Sequence, residues 1–384
     1  MHIRDSSGIF GAERVILTLA RNINPSKARM ELLCLRRKDG RSQRLMDAAG
    51  DLGLKVFPVD VRGRFDMSAL MKIRSILRAQ QVDIIHTHDF KSDFYGLLAS
   101  LGTSILRVVT AHGSTRDSIR KKIYLLATER GTYQFFHKII AVSKELNGYL
   151  LSCGLQPQKV TTIQNGIDVS LIRNTAAPLE APLPDMEGNV VFSVIGRLFP
   201  DKGHRYFLEA FKRVNQAYPQ TIGLIIGDGP EEHSITGHIR RLKLEECVHN
   251  CGIRNNMGMI YDHTDCLVMP SLTEGLPYTL LEAMAKKVPI IASPVGDIPL
   301  LIKDGITGYL AEPGNVDDLE KKMLNFLNNP SMSADMASDA FRLVNERYSA
   351  VKMAKMTEEL YHHIIKDRNG DHSENSTGWL RRRR

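Results

Sequence analysis

The strongest constraint on the fold is a regular alternation of short, β-branched apolar runs with longer stretches of helical periodicity. The apolar runs lie at 31–35, 55–59, 83–87, 106–111, 138–142 and 159–163, and then at 189–195, 221–226, 265–269 and 288–292. Helical periodicity fills the gaps, for example at 66–80, 117–137, 204–217 and 315–328. Alternating strands and helices form βαβ units with right-handed crossovers and parallel sheets. Two such series in 384 residues predict an α/β chain with two Rossmann-like, doubly wound domains.

A proline-rich break separates the two series. Residues 174–188 contain three prolines and show no periodicity, which is typical of a linker. We predict domains at 1–172 and 189–349, joined by a linker at 173–188. Ligands of open α/β sheets bind beyond the carboxyl ends of the strands, so the two domains are expected to face each other across a cleft. The polar, unpatterned tail at 367–384 predicts a disordered basic segment.

Composition favours a cytoplasmic protein. Hydrophobic residues make up 43% of the chain and charged residues 24%, which is ordinary for a globular protein. No window approaches the 18 or so apolar residues of a spanning helix, and the N-terminus lacks the apolar core of a signal peptide. The 5 cysteines are odd in number and scattered, as expected of reduced thiols in the cytosol.

Charge is unevenly distributed along the chain. Residues 1–175 carry a net charge of +12, whereas 176–366 carry −6. The asymmetry fits either a solvated surface or contact with an anionic partner, such as a membrane or a phosphorylated acceptor. It is sharpest at 116–138, where basic and aromatic residues share one stretch: Arg116, Arg120, Lys121, Lys122, Arg130 and Lys138, with Tyr124, Tyr133, Phe135 and Phe136.

A basic helix with aromatic residues can lie in the headgroup region of an anionic bilayer. We therefore predict that the first domain docks on the inner face of the plasma membrane. The alternative is that the aromatic side chains of this stretch pack on the sheet while its basic residues face water.

The strongest local motif follows the apolar run 265–269. It reads PSLTEGLPYTLLE and places Glu274 on a loop and Glu282 within a helix that starts near Pro277. A helix N-terminus beyond the end of a strand is an anion-binding site, because its N–H groups are free and its dipole is positive there. Glu274 and Glu282 would then face different parts of one ligand. The alternative is that both carboxylates are simply solvated.

A second motif, GRLFPDKG at 196–203, follows the run 189–195 and leads into a helix. Its two cations, Arg197 and Lys202, suit a diphosphate, since arginine offers a bidentate fork and lysine a point charge. Ordinary surface basicity is the alternative. A third motif, IGDGPE at 226–231, lacks the last glycine of a dinucleotide fingerprint, so it supports NAD binding only weakly.

Histidines follow two of the apolar runs in the first half, namely His86 and His88 after one and His112 after the next. Such residues could be metal ligands, catalytic groups or polar residues satisfied by hydrogen bonds. Asp89 follows His88, but carboxylates are not gathered there as a metal site would need, and no Asp-x-Asp triplet occurs anywhere in the chain. We therefore predict no metal site.

Together these motifs resemble the GT-B glycosyltransferases of family 4. The resemblance rests on Glu-x7-Glu from Glu274 to Glu282, on GRLFPDKG, and on IIGDGPE, QNGID, TAHG and AVSKEL in the expected order. It covers residues 5–366. Gly11-Ala12-Glu13 resembles the N-terminal glycine loop of the family, which usually has adjacent glycines, whereas here Phe10 precedes Gly11.

The resemblance also implies residue roles. Arg197 and Lys202 would neutralise the leaving diphosphate, Glu274 would bind hydroxyls of the donor sugar, and Glu282 would bind the ribose. The donor site would be completed by Gly196, Gly227, Gly252, Ile253, Arg254, Gly275, Leu276, Pro277, Tyr278 and Thr279, with Gly11 and His112 from the first domain. The last helix, at 350–366, would cross back to the first domain.

The resemblance further implies a retaining, metal-independent transfer from a UDP- or GDP-sugar to a glycan or lipid-linked acceptor, without cofactor or nucleic acid. Two other classes fit part of the pattern. One is a two-Rossmann sugar-nucleotide epimerase, although the Arg/Lys loop with Glu-x7-Glu argues against it. The other is a non-catalytic protein that binds sugar nucleotides, and the retained cations and glutamates weigh against it.

Overall fold

The structure is a computed structural model that describes residues 1–6, 8–9, 11–36, 40–63, 65–112, 131–173, 182–254 and 256–370. The chain divides into two compact units. The first unit consists of Met1–Gly166 together with Ala350–Arg384, and the second is Ile167–Ser349. The second unit is therefore inserted into the first along the chain. At its two ends Ile167 pairs with Ser349, and the Ile167 amide donates to the Tyr348 carbonyl at 2.8 Å.

The first unit contains a parallel sheet of seven strands in the order β3-β2-β1-β4-β5-β6-β7. The strands are β1 His2–Arg4, β2 Glu31–Arg36, β3 Lys55–Asp60, β4 Ile84–Thr87, β5 Leu106–Ala111, β6 Lys138–Ala141 and β7 Val160–Thr162. The strand order reverses between β1 and β4, and a crevice at such a switch point is where ligands of this fold class bind.

The second unit repeats the same plan with six parallel strands in the order β10-β9-β8-β11-β12-β13. The strands are β8 Val190–Ile195, β9 Thr221–Ile226, β10 Val248–Gly252, β11 Cys266–Met269, β12 Ile290–Ala292 and β13 Tyr309–Leu310. Its switch point lies between β8 and β11.

Helices connect the strands in both units. They are α1 Gly11–Asn22, α2 Gln43–Asp51, α3 Met67–Ala79, α4 Phe90–Ser100, α5 Lys144–Ser152, α6 Val169–Arg173, α7 His204–Ala217, α8 Glu232–Leu242, α9 Met257–Asp262, α10 Tyr278–Ala285, α11 Ile298–Leu301, α12 Val316–Asn328, α13 Pro330–Arg347 and α14 Ala350–Asn369. Helix α7 shows why the sequence folds this way, since Phe207, Leu208, Phe211 and Val214 form one buried face at helical spacing. None of the described helices is long and apolar enough to cross a bilayer.

The predicted α/β fold with two parallel-sheet domains is confirmed, and each predicted strand is present within a residue or two of its expected bounds. No apolar run in the sequence marks the three-residue strand β1, nor β10 or β13. Most of β10 is only half-buried and β13 has two residues, so neither produces an apolar run. The last helix extends to Asn369, three residues beyond its predicted end.

Part of the predicted membrane-docking stretch at 116–138 is wrong. Tyr133 and Phe136 are buried in the core of the first unit, so they cannot face lipid. Phe135 is exposed, whereas the ammonium of Lys138 donates to the carbonyl of Gln158 at 2.8 Å. The other residues of this prediction, those up to Arg130, lie outside the described part of the chain, as do 174–181 of the predicted linker and the tail from 371 onward.

Candidate active site

The switch point of the second unit is built from the loops that follow β8 and β11. The loop after β8, which we call the cation loop (residues 196–203), is fastened to the loop after β9 by backbone hydrogen bonds. The Gly196 amide donates to the Ile226 carbonyl at 2.9 Å, and the Leu198 amide donates to the Asp228 carbonyl at 2.7 Å. Because Leu198 is fully buried, it anchors the cation loop against the core.

Two neighbouring cations on the cation loop differ in their surroundings. Arg197 is exposed, its guanidinium lies 4.8 Å from the centre of the Phe199 ring, and it forms no ion pair with any residue that the structure describes. Lys202 ends a 3-10 turn, Pro200–Lys202, and its ammonium donates to Oε1 of Glu274 at 2.7 Å. Arg197 is thus available to an incoming anion, while Lys202 is already oriented.

Glu274 lies on the loop after β11, which we call the glutamate loop (residues 270–277). The carboxylate is nearly buried, and its Oε1 also accepts from the hydroxyl of Ser271 at 2.8 Å. A backbone bond from the Leu272 amide to the Asp201 carbonyl, at 2.7 Å, ties the glutamate loop to the cation loop. The structure therefore brings together Lys202 and Glu274, which sequence analysis took from separate motifs.

Four glycines let neighbouring backbone segments approach these two loops: Gly203, Gly227, Gly229 and Gly296. A Cβ added to Gly227 would lie 1.8 Å from the Gly196 carbonyl oxygen, and one added to Gly296 would lie 2.3 Å from the Glu274 carbonyl oxygen. Both glycines also have positive φ, of 145° and 59°. Gly227, predicted to contact the donor, therefore has a packing role that requires glycine.

The other predicted donor-binding glycines behave differently. A Cβ built on Gly11, Gly196, Gly252 or Gly275 would meet nothing within 4 Å. These positions border open space, so glycine is not required there by packing. The absence of a side chain leaves room for a ligand to approach the backbone.

Helix α10 begins directly after the glutamate loop. Pro277 is its N-cap, and no side chain caps its first turn. The N–H groups there point out of the helix, and the dipole makes this end positive. Leu276 and Tyr278 are buried, whereas Thr279 is half-buried.

Glu282, further along the same helix, is buried in the second unit and accepts a hydrogen bond from the hydroxyl of Tyr261 at 2.9 Å. The Tyr261 hydroxyl also lies 3.1 Å from the Thr279 carbonyl oxygen. Tyr261 is itself fully buried on α9. It therefore fixes the orientation of the Glu282 carboxylate. Sequence analysis missed Tyr261, because nothing in the sequence shows that its hydroxyl reaches a residue 21 positions away.

The residues predicted to hold the base follow β10. The Gly252 carbonyl accepts from the Gly227 amide at 2.9 Å, and Gly252 has a φ of 65°. This bond fixes the loop beside the one after β9. Ile253 is exposed and Arg254 is half-buried.

The switch point of the first unit carries histidines instead of charges. His2 and His86 are register partners on β1 and β4, and His88 follows β4. Because side chains alternate along a strand, these three rings share one face of the sheet, and the His86 and His88 rings stack with centres 4.4 Å apart. His112 follows β5, and its Nε2 lies 3.1 Å from Nδ1 of His88.

These histidines are neutral at physiological pH. Burial lowers the pKa of His86 to about 3. Burial and the neighbouring imidazoles hold the pKa of His2 and of His88 well below the ordinary value, and burial together with Arg4 does the same for His112. The Arg4 guanidinium, which donates to the His88 carbonyl at 2.8 Å, is balanced by Glu13 and Asp89.

Nitrogen atoms of His2, His86 and His88 all lie within 4.8 Å of one another, which is the spacing of a metal centre. However, Nδ1 of His2 is only 2.8 Å from Nε2 of His88. Zinc with Zn–N bonds of about 2.0–2.1 Å in a tetrahedron holds its ligand nitrogens roughly 3.4 Å apart. The observed distance is that of an N–H···N hydrogen bond, so we interpret the group as a hydrogen-bonded chain.

Comparison with known proteins identifies the family. A model of the glycosyl transferases group 1 matches residues 180–342, and a model of glycosyltransferase family 4 matches residues 9–171. The chain is a family 4 glycosyltransferase. The predicted family is thereby confirmed, and the epimerase alternative is set aside.

Relatives of this glycosyltransferase share about a quarter of its residues. The UDP-Gal:alpha-D-GlcNAc-diphosphoundecaprenol alpha-1,3-galactosyltransferase of Escherichia coli is 26% identical over 77% of this chain and 79% of its own length. The N-acetyl-alpha-D-glucosaminyl L-malate synthase of Bacillus anthracis is 25% identical over 80% of this chain and 81% of its own length. Both matches extend over most of the two domains.

The fold of the glycosyltransferase is also that of solved structures. Anabaena HepE in complex with UDP-glucose superimposes with a TM-score of 0.80 at 19% identity, covering 94% of this chain and 98% of HepE. The predicted GT-B fold is therefore confirmed. At this identity the likeness concerns the fold alone.

Proposed function

We propose that this enzyme transfers a sugar from a nucleoside diphosphate sugar to an acceptor, in the synthesis of cell-surface polysaccharide or glycolipid. The observation that carries the proposal is the bond between Lys202 and Glu274, with the exposed Arg197 on the same loop as Lys202. A sugar diphosphate needs cations for its phosphates and a carboxylate for its hydroxyls, and both stand on adjoining loops. The E. coli relative, which is named for UDP-Gal as donor, supports a UDP-sugar, with a GDP-sugar as the alternative.

We assign the roles as follows. Arg197 and Lys202 hold the diphosphate, assisted by the uncapped N-terminus of α10. Glu274 binds hydroxyls of the sugar, and Glu282, oriented by Tyr261, binds the ribose. In the first unit, Gly11 begins the helix after β1 and His112 follows β5, and each meets a sugar or acceptor hydroxyl.

The proposed chemistry is transfer with retention. The bond between the sugar and the diphosphate breaks, leaving a cationic sugar and an anionic diphosphate, and the acceptor hydroxyl attacks from the face that the diphosphate leaves. The departing phosphate takes the acceptor proton. One preorganised donor at such a developing charge is worth about 3–4 kcal/mol in the transition state. Fixed cations thus do the work that a metal does in enzymes with an Asp-x-Asp motif.

A donor screen with two readouts tests this function. Purified protein is incubated with UDP- and GDP-sugars, with and without a polyprenyl-diphosphate-linked sugar, and release of nucleoside diphosphate is measured. We expect release from one donor, stimulated by acceptor, unchanged by EDTA, with an α-linked product from an α-linked donor. Donor binding without any release would favour the non-catalytic alternative. Loss of activity in EDTA that Mg²⁺ restores would refute metal independence, and an inverted product would refute retention.

We further propose a lipid-linked acceptor, since the E. coli relative is named for a sugar on diphosphoundecaprenol. The first unit offers a surface that suits a bilayer. Phe65, Met67 and Met71 are 50%, 55% and 61% exposed around the start of α3. The Phe65 ring is held by stacking on Tyr95.

Exposed cations flank these apolar side chains. Arg62 precedes them, and Lys72 and Arg78 follow on α3. Each such residue near an anionic leaflet contributes about 1 kcal/mol, and apolar side chains add to this by entering the headgroup region. We propose that this surface, which we call the α3 surface, docks on an anionic membrane.

Vesicle co-sedimentation tests the α3 surface. We expect pelleting with phosphatidylglycerol vesicles that weakens at high salt, and little with phosphatidylcholine. Met71→Glu should abolish pelleting, whereas Val351→Glu, which changes an apolar residue of the first unit that is 65% exposed, should not. Equal pelleting of both variants would refute the α3 surface without affecting the proposed transferase activity.

A further inference from the structure

A continuous chain of hydrogen bonds runs through the first unit and ends at His112. It begins at Thr110, whose Oγ1 lies 2.6 Å from Nε2 of His86. Nδ1 of His86 lies 2.5 Å from the hydroxyl of Tyr361, and that hydroxyl lies 3.3 Å from Nε2 of His2. His2 then bonds to His88, and His88 to His112, at 2.8 and 3.1 Å.

Each link of this chain restricts the next. A neutral imidazole has one N–H and one lone pair, and a phenol has one hydrogen. Burial raises the pKa of the Tyr361 hydroxyl, so it remains a phenol, and the histidines are neutral for the reason given above. If the buried phenol hydrogen is bonded as well, the bonds can be satisfied throughout in only two ways. Either all four histidines carry their proton on Nε2, or all four carry it on Nδ1.

The distances at Tyr361 distinguish these two arrangements. Its contact with His86 is shorter by 0.8 Å than its contact with His2, as the 2.5 and 3.3 Å above show. Because O–H donors form shorter bonds than N–H donors, we infer that the phenol donates to Nδ1 of His86, and that His86 carries its proton on Nε2 and donates to Thr110. His2 donates from Nε2 to the phenol oxygen. His88 and His112 then also donate from Nε2.

His112 is the last residue of this chain of hydrogen bonds, at its partly exposed end. It is half-buried, and its Nδ1 has no hydrogen-bond partner among the residues that the structure describes. We propose that the chain from Thr110 through His86, Tyr361, His2 and His88 fixes the tautomer of His112, so that its Nδ1 presents a lone pair. A lone pair accepts from a sugar or acceptor hydroxyl, whereas an N–H would have to donate to it.

On this proposal Tyr361 and Thr110 are positioning residues that act on His112 from within the fold. The charged groups around the chain are Arg4, which pairs with Glu13 and Asp89, and the N-terminal ammonium of Met1, which donates to the Ile84 carbonyl at 2.9 Å. The inference rests on the proposed function only in that His112 meets a ligand. The tautomer can be measured without any ligand.

The test is ¹H–¹⁵N correlation spectroscopy of the full chain labelled at its histidine nitrogens, at pH 7.5 without substrate. In the wild type we expect His2, His86, His88 and His112 all protonated on Nε2 alone. A mixture of tautomers among the four, or a doubly protonated ring, would overturn the proposal with no variant required.

Two conservative variants should change the tautomers of the four histidines in different ways. In Tyr361→Phe, Nε2 of His2 loses its acceptor, and a buried N–H without a partner is less tolerated than a lone pair. His2, His88 and His112 should therefore move their proton to Nδ1, while His86 keeps its own on Nε2 toward Thr110. In Thr110→Val, Nε2 of His86 loses its acceptor instead, so all four should move to Nδ1.

The matched control is Tyr95→Phe, which removes the hydroxyl of another buried tyrosine of the first unit, one that accepts from the Asp66 amide at 2.7 Å. It should leave all four tautomers unchanged. Unchanged tautomers in Tyr361→Phe and Thr110→Val would overturn the proposal even if transferase activity is found. If His112 contacts substrate as proposed, both variants should also lower kcat about tenfold with an unchanged KM for the donor. A higher KM for the donor with an unchanged kcat would instead indicate a purely structural effect.

Discussion

The two units share one strand order but place opposite chemistry at their switch points. In the second unit, an ammonium, a guanidinium and two carboxylates stand on loops after β8 and β11 and on the helix that follows. In the first unit, the side chains at β1 and β4 are buried, neutral imidazoles that bond to one another. The comparison shows that this fold fixes where a site lies and leaves its electrostatic character to a few residues.

The difference follows from how each switch point satisfies its polar groups. Lys202 and Glu274 form an ion pair, so neither is left without an oppositely charged partner. His2, His86 and His88 lie inside, where an unpaired charge would be costly. They are therefore uncharged and are satisfied by hydrogen bonds. The first unit should therefore respond to pH and the second to loss of single charges.

The largest expected effect is acid destabilisation of the first unit. The pKa of His2, His86 and His88 is lowered by burial, so below the usual value of about 6.5 only the unfolded chain binds their protons. Above about pH 6.5 these histidines do not affect the free energy of unfolding. Below it, the free energy of unfolding decreases by about 4 kcal/mol per pH unit, because unfolding takes up one proton at each of the three histidines.

Hydrogen exchange followed by mass spectrometry from pH 7.5 to 4.5 checks this expectation, with correction for intrinsic rates. Peptides that contain β4 should lose protection before those that contain β8. The second unit includes His204, whose pKa burial lowers to about 4, so it should show a shallower dependence. Loss of protection at the same pH in both units would contradict the comparison.

The next effect concerns the cations of the second unit. Lys202→Ala or Arg197→Ala should lower kcat/KM at least ~100-fold, because each removes a fixed charge from the leaving diphosphate. Lys322→Ala is a matched control, since Lys322 lies in the same unit, is similarly exposed and also pairs with a carboxylate, that of Asp304 at 2.8 Å. Steady-state kinetics on all three variants would measure the loss of kcat/KM in each. Equal losses in Lys202→Ala and Lys322→Ala would point to stability instead of catalysis.

A steric prediction tests whether the charged loops depend on backbone contact. Gly296→Ala should lower the free energy of unfolding by about 2 kcal/mol, since a Cβ there meets the Glu274 carbonyl at positive φ. Gly237→Ala, in the exposed part of α8, should instead stabilise by up to about 1 kcal/mol. Denaturant unfolding of both variants measures the contrast. A neutral Gly296→Ala would mean that the glutamate loop moves aside freely.

The smallest expected effect is at the proposed ribose site. Tyr261→Phe should weaken UDP binding about tenfold, or about 1.4 kcal/mol, because Glu282 loses the hydroxyl that orients it. Tyr309→Phe removes the hydroxyl of another buried tyrosine in the same unit, which bonds to Ser333, and should leave UDP binding unchanged. Calorimetric titration with UDP measures both. Unchanged UDP binding in Tyr261→Phe would contradict the proposal that Glu282, oriented by Tyr261, binds the nucleotide.

The sequence predicted what depends on local periodicity and missed what depends on distant side chains. Helix α7 was predicted at its observed bounds because its buried face repeats regularly. The polar strand β10 was missed because only Val248 on it is buried. In the site, Arg197, Lys202 and Glu274 were visible as motifs, whereas the bond between the last two, and the chain that joins Tyr361 to His112, arise only when elements far apart in sequence fold together.

The pairing of Ile167 with Ser349 has a practical consequence. The second unit is one continuous segment whose first and last residues, Ile167 and Ser349, are partners in a β-bridge. A segment with adjacent termini can be excised, or circularly permuted, without crossing its own core. Residues 167–349 are thus a natural module for engineering. The same adjacency means that the two pieces of the first unit could be joined by a short peptide, which would leave a compact single-sheet scaffold bearing the histidine chain.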